Sequence, residues 1–180
     1  MSEIDASVET TASSFRSACL TVGPLDHEES RPEYLVVNGL RLWAHGCMAE
    51  DRGAWKEAAR LYATHLSQPF ASLAVAQLAA WVRSIRDWRP MELEIFAPRC
   101  RHVCRDECLA LGMVAAWQHG DGLALSLTAA HLGGPAGQLE VAEAAQGLAV
   151  LLNASGFVLR PMPVHILREL ADRPSARSYH

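Results

Sequence analysis

The chain has 180 residues, of which 50% are hydrophobic and 20% charged, and its formal net charge is -4. This length and composition are typical of one globular domain with a hydrophobic core, and they exclude an intrinsically disordered chain. No apolar run approaches the roughly 18 residues that a membrane span requires, and the first residues lack the basic and apolar regions of a secretory signal, so we expect a cytoplasmic protein with no membrane partner.

The first 31 residues predict a flexible acidic arm. They are rich in Ser and Thr, show no sustained hydrophobic period, and account for the whole net charge with six acidic residues against two arginines. Residues 32–180 hold fourteen basic and fourteen acidic residues. A neutral body lacks the basic face that neutralises phosphates, which argues against a nucleic-acid partner. We interpret the arginine clusters at residues 83–89 and 99–105 as solvated helix surfaces.

In the first half of the predicted domain, the spacing of the apolar residues is that of helices. Pro32 suits the first turn of a helix that runs to residue 50, and Asp51 is a natural N-cap for a second helix to residue 66. A third helix over residues 70–88 ends before Pro90. Because it is apolar around most of its circumference, we expect it to be central to the core. The stretch MELEIF, residues 91–96, is interpreted as a loop or a helix start.

Pro98 predicts the start of a fourth helix, which contains three cysteines and runs to about His119. Residues 123–132 form a shorter helix closed by Gly133, Gly134 and Pro135, and two further helices cover residues 137–154 and 164–170. The pattern predicts an all-α domain over residues 32–174, with a C-terminal tail at 175–180. Its six to seven helices would form a single helical bundle or a helical-hairpin array.

The first two predicted helices resemble a tetratricopeptide helix pair. The resemblance rests on small and aromatic residues at the spacing of that repeat: Gly46, Gly53, Trp55, Ala58 and Tyr62. The repeat ends with a proline, and Pro69 lies one position before the place of that proline. The resemblance covers about 30 residues, and no second copy follows at the repeat period of about 34 residues. It implies two antiparallel helices that pack closely.

The stretch CRHVCRDEC places Cys100, Cys104 and Cys108 at intervals of four residues. On one helix the three side chains would share the apolar face. The helix would rise about 12 Å from the first cysteine to the third, whereas two sulfurs on one zinc ion are at most about 4.6 Å apart. One ion therefore cannot bind all three thiolates, although neighbouring cysteines could share one.

Three uses of this cysteine row stay open. The thiols could be small core residues under a neighbouring helix. Two of them could bind zinc, iron or copper together with ligands from another helix, for which His45, Cys47 and His131 are candidates, and the spacing is similar to that of bundle-type copper storage proteins. Alternatively, Cys100 could be a thiol switch, since it is expected at a helix N-terminus, where a thiolate is stabilised.

The sequence contains no phosphate-binding loop, no dinucleotide-binding glycine motif and no nucleophile elbow, so it does not favour an enzyme. We predict a non-catalytic cytoplasmic interaction protein, such as an adaptor, regulatory subunit or chaperone-like module, that binds another protein. Trp55 and Trp88 are the predicted interaction residues. The alternatives are a metal-binding or thiol-redox-responsive protein that uses the cysteine row, and a small all-α enzyme with a site between helices. The apolar segments 70–82 and 139–152 also suggest a homodimer.

Overall fold

The computed structural model describes residues 31–89 and 91–173, and these residues form an all-α structure without strands, as expected. Of the predicted acidic arm only Arg31 is described, and it begins the first helix; the predicted tail at 175–180 lies outside the described residues. Within the described ranges, every helix is too short or too polar to cross a membrane. The six helices in chain order are α1 (Arg31–Ala49), α2 (Arg52–His65), α3 (Phe70–Trp88), α4 (Arg105–His119), α5 (Gly122–Ala154) and α6 (Val164–Ala171).

Helices α1 and α2 form a close antiparallel pair. A two-residue link joins them: Glu50 adopts a left-handed conformation at the end of α1, and the side chain of Asp51 accepts the N–H of Gly53 to cap α2. Gly39 lies against Tyr62 and Gly46 against Trp55. Glycine is needed at both positions, because a Cβ would overlap the facing ring. These contacts match the close antiparallel packing that the tetratricopeptide resemblance implies.

Helix α4 is the most completely buried helix, and α3, which we expected to be central, also contributes to the core by packing against α1, α2 and α5. Every residue of α4 from Asp106 to Ala116 is buried, and α1, α5 and α6 all pack against this helix. Helix α3 buries one side and leaves Leu73, Ala76 and Arg83 exposed. Of its five alanines only Ala76 is exposed, whereas Ala71, Ala74 and Ala79 are buried.

A break divides α5 at the predicted position. Gly134 has φ 64° and ψ -176°, and Pro135 follows it, so the regular helix stops and restarts within Gly122–Ala154. The second half runs antiparallel to α3, since Gly137 lies against Trp88 and Gly147 against Gln77. The break therefore lets one segment cover both α4 and α3.

The predicted start of the fourth helix at Pro98 is wrong, because α4 begins at Arg105 with Cys104 as its N-cap. Residues 91–104 are irregular, which agrees with a loop at residues 91–96. Pro98 belongs to a turn in which the N–H of Cys100 donates to Ala97 O at 3.1 Å, and Arg99 has φ 69°. Pro98 followed by a left-handed residue is typical of a type II turn rather than of a helix.

We expect Gly39→Ala to lower the free energy of unfolding by about 1–3 kcal/mol, as overpacking does. The new Cβ would lie 2.7 Å from the Tyr62 hydroxyl oxygen, and Tyr62 is fully buried and has no room to move. Gly147→Ala is the control, because its Cβ would meet only the flexible end of Gln77. That variant should be neutral or up to about 1 kcal/mol more stable. Urea unfolding measures both, and equal stability of the two variants would contradict the close approach.

Candidate functional site

The structure divides the predicted cysteine row among three environments. Cys100 lies in the turn after Pro98, Cys104 caps α4, and Cys108 is buried inside that helix. The expectation that the three share one helical face is wrong, because the helix starts after the first two. The thiol at the helix N-terminus is that of Cys104, not Cys100, and it donates to Glu94 O at 2.8 Å.

His131, the predicted fourth metal ligand, faces a carboxylate. Its Nε2 lies 3.5 Å from Asp106 Oδ1. Among the residues that the structure describes, no group of three or more His, Cys, Asp or Glu side chains is arranged to hold a metal ion. The zinc, iron or copper site thus stays a prediction from the sequence alone.

An ion pair with both side chains fully buried joins Glu107, in the first turn of α4, to Arg41 of α1. The Nε and Nη2 atoms of Arg41 lie 2.7 and 2.8 Å from the two carboxylate oxygens. Glu107 also accepts the N–H groups of Phe96 and Cys104, each at 2.9 Å. With four donors its carboxylate is fully satisfied, which a buried charge requires.

The guanidinium of Arg41 extends this network into the irregular segment. Its Nη1 donates to Cys100 O at 2.7 Å, and its Nη2 donates to His102 O. Burial lowers the pKa of Arg41, but the hydrogen bond and charge of Glu107 outweigh that effect and leave the pKa raised. The arginine is therefore charged at any physiological pH, and it holds residues 100–102 against α1.

The neighbouring carboxylate, Asp106, is also fully buried and receives a separate set of donors. Arg89 Nη2 lies 2.8 Å from Oδ2, Arg105 Nε lies 3.1 Å from Oδ1, and the N–H of Glu94 donates at 2.8 Å. Burial raises the pKa of Asp106, but His131, Arg89, the Glu94 N–H and Arg105 together lower it below the usual value. Asp106 thus connects α4 with α3, α5 and the irregular segment.

These contacts correct the interpretation of the arginines as solvated for two of the six, since Arg83, Arg86, Arg99 and Arg101 are exposed as expected. The side chains of Arg89 and Arg105 are only 8% and 12% exposed, because both pair with Asp106. One sequence signal could have revealed the arrangement: Cys104 followed three residues later by Glu107 has the spacing of a capping box, although serine or threonine is the usual first residue. That signal would have placed the helix start correctly.

Pro98 of the irregular segment, residues 91–104, helps to line an open cleft between α1 and α2. The cleft has a volume of about 650 Å³. Leu42, His45 and Ala49 of α1 form one wall. The other wall consists of Asp51, Gly53, Ala54, Lys56, Glu57 and Arg60. The residues of α1 recur at intervals of three and four, and those of α2 from Gly53 to Arg60 lie within one broad side of that helix, so each wall is one helical face.

Several polar groups of the cleft have partners within the protein. Asp51 Oδ1 accepts the N–H of Gly53 at 2.7 Å. His45 Nε2 lies 3.4 Å from Phe96 O, and Glu57 lies 3.8 Å from the exposed Arg99. Across the described ranges, no hydrogen bond or ion pair engages the side chain of Lys56, which projects from the same wall. The cleft therefore offers this cation to a ligand.

The two predicted interaction tryptophans differ in environment. Trp55 is half-buried between α1 and α2, with its ring centroid 5.9 Å from that of Trp43. Trp88, at the end of α3, is 42% exposed and lies over Gly137. Leu73, Leu139 and Val150 are exposed in the two segments that suggested a homodimer, which remains a prediction.

Comparison of the chain with protein-family models, with curated proteins and with solved structures gave no match.

We expect Glu107→Gln to lower the free energy of unfolding by about 3–5 kcal/mol, because the buried charge of Arg41 would lose its counterion. The substitution preserves the size of the side chain, so the loss reports mainly on charge. Glu57→Gln is the matched control, since its ion pair with Arg99 is exposed and should account for less than about 1 kcal/mol. Urea unfolding compares the two variants. A similar, small loss in both would show that the buried pair is unimportant for stability.

Asp106 should make the fold sensitive to acid. Its folded-state pKa is below the unfolded value of about 3.9, so its carboxylate stabilises the fold above that pH and loses this effect as the pH falls through the folded pKa. Asp106→Asn lacks this titration. The stability difference between wild type and variant, measured by urea unfolding from pH 7 to pH 3, should therefore shrink towards low pH. A difference that is the same at every pH would contradict this role.

Proposed function

We propose that the protein is a single helical bundle that acts in the cytoplasm as a non-catalytic interaction protein, and that it binds another protein through the cleft between α1 and α2. The observation that carries this proposal is the cleft itself, an opening of about 650 Å³ whose walls present several charged side chains. The four described cysteines form no disulfide, which fits a reducing compartment.

The packing around the cleft supports a preformed binding surface. Trp55 packs against Gly46, and Tyr62 packs against Gly39. The contact of these aromatic rings with the glycines of α1 holds the two walls of the cleft together. Pro98 is held by its neighbours, because Cys100 O accepts from the buried Arg41 and the N–H of Arg99 donates to Asn38 at 3.3 Å. A surface ordered before binding loses little conformational entropy when a partner arrives.

The chemistry of the lining favours recognition over catalysis. None of its residues is Ser, Thr or Cys, so the lining lacks the hydroxyl and thiol nucleophiles of covalent catalysis. Its two carboxylates already serve a helix cap and a contact with Arg99. The remaining groups can form ion pairs and apolar contacts, which are the means by which protein partners are recognised.

Site-directed photo-crosslinking in cells of the source organism tests the proposal. A benzophenone amino acid replaces Ala49, an exposed residue at the edge of the cleft, and irradiation should give a discrete adduct with one protein. The control places the same amino acid at Ala130, an exposed residue of α5. A partner seated in the cleft gives an adduct from the first position only. No adduct at Ala49, or the same adducts from both positions, would contradict the proposal.

A further inference from the structure

Helix α2 carries three cations in a row, of which Lys56 and Arg60 line the cleft and Arg52 lies one turn before Lys56. Arg52, Lys56 and Arg60 follow one another at intervals of four residues, and all three are exposed. Side chains at this interval are neighbours on a helix surface, about 6 Å apart along the axis. Like charges at this interval destabilise a helix, and a cation in the first turn, such as Arg52, also opposes the helix dipole. The row is therefore unfavourable for α2 on its own.

The one acidic residue within α2 is Glu57, three residues before Arg60. In the described part of the chain, no ion pair or hydrogen bond engages the side chains of Arg52, Lys56 or Arg60. The two acids nearest to them are engaged differently: Asp51 caps α2, and Glu57 faces Arg99. A row of cations that costs helix stability and has no internal counterion is suited to an external anionic ligand.

We infer that the cleft binds an extended segment of the partner protein with acidic residues at alternate positions. This inference rests on the proposed function and names the chemistry of the partner. In an extended chain, alternate side chains point to the same face and are about 6.6–6.8 Å apart. That spacing matches the rise of about 6 Å between successive cations. Three carboxylates within five residues would thus meet Arg52, Lys56 and Arg60 in turn.

A peptide fits the charge distribution better than a nucleic acid does. The whole chain has a net charge of -4, and the cations form a single row beside two carboxylates, Asp51 and Glu57. A nucleic-acid site would need a broad basic face to neutralise many phosphates. The apolar wall formed by Leu42 and Ala49 offers contact to the uncharged residues that alternate with the acids.

Fluorescence anisotropy with the full-length protein tests the spacing. The probes are two labelled peptides of equal composition, centred on Glu-Ala-Glu-Ala-Glu and on Glu-Glu-Ala-Ala-Glu. The alternating peptide should bind more tightly, because only it places three carboxylates on one face. Exposed ion pairs account for about a factor of two to five each, so Lys56→Gln with Arg60→Gln should weaken its binding by roughly fourfold to twenty-fivefold. Arg83→Gln with Arg86→Gln removes the same charge from the exposed face of α3 and should have no effect.

Zero-length cross-linking locates the peptide independently of any variant. Lys56 is the only lysine of the chain, so a carbodiimide should join a glutamate of the bound peptide to this one side chain by an amide bond. Mass spectrometry then identifies the linked residues. A link between peptide and Lys56 in the wild-type protein supports the inference.

The inference would be overturned by equal affinity for the two peptides, or by an equal loss of peptide binding in the cleft variant and the α3 variant. It would also be overturned if oligothymidylate competed with the affinity of the alternating peptide, or if Lys56 were linked to an acidic residue within residues 1–31. The last result would assign the cleft to the chain's own acidic segment. The two proposals also fail separately. A photo-adduct at Ala49 with a partner segment that lacks alternating acids would overturn this inference and leave the proposed function standing.

Discussion

The buried carboxylates of Asp106 and Glu107 are the constraint on which the rest of the structure depends. Both lie at the start of α4, where the helix dipole favours negative charge. Together they bind Arg41 from α1, Arg89 from α3 and three backbone N–H groups of the irregular segment. Two adjacent residues thus join the start of α4 to the middle of α1 and to the C-terminal end of α3.

The position of the cleft follows from this anchoring. A segment of fourteen residues without regular structure would normally be mobile, but carboxylate and guanidinium groups hold it near both its ends and its middle. Its turn then places Pro98 in the lining of the cleft between α1 and α2. The buried charged groups therefore help to determine the shape of the cleft, although they do not line it.

Much of the helical architecture could be predicted from periodicity and capping, whereas the network could not. Asp51, Pro90 and the Gly134-Pro135 pair mark boundaries locally, and the structure has its boundaries close to these residues. The burial of Asp106 and Glu107 depends on arginines far away in the chain, and no local pattern indicates such partners. The cysteine row led to a wrong prediction for a related reason. Its regular spacing suggested a helix over residues 100–104, but the backbone groups of these residues form hydrogen bonds with Arg41 and Glu107 instead. In the cleft, the residues of α2 could be placed on one face, but their nearness to Pro98 could not.

The sequence separation of the buried ion pair bears on the order in which the chain folds. Arg41 and Glu107 are 66 residues apart, whereas α1 with α2, and α4 with the first half of α5, are neighbours joined by short links. The short loops can close early, at little entropic cost, while both charges are still hydrated. Desolvation of the two charges has to wait until the two halves of the domain meet. The ion pair thus belongs to the final docking step, and it distinguishes the native arrangement from other ways of packing the same helices.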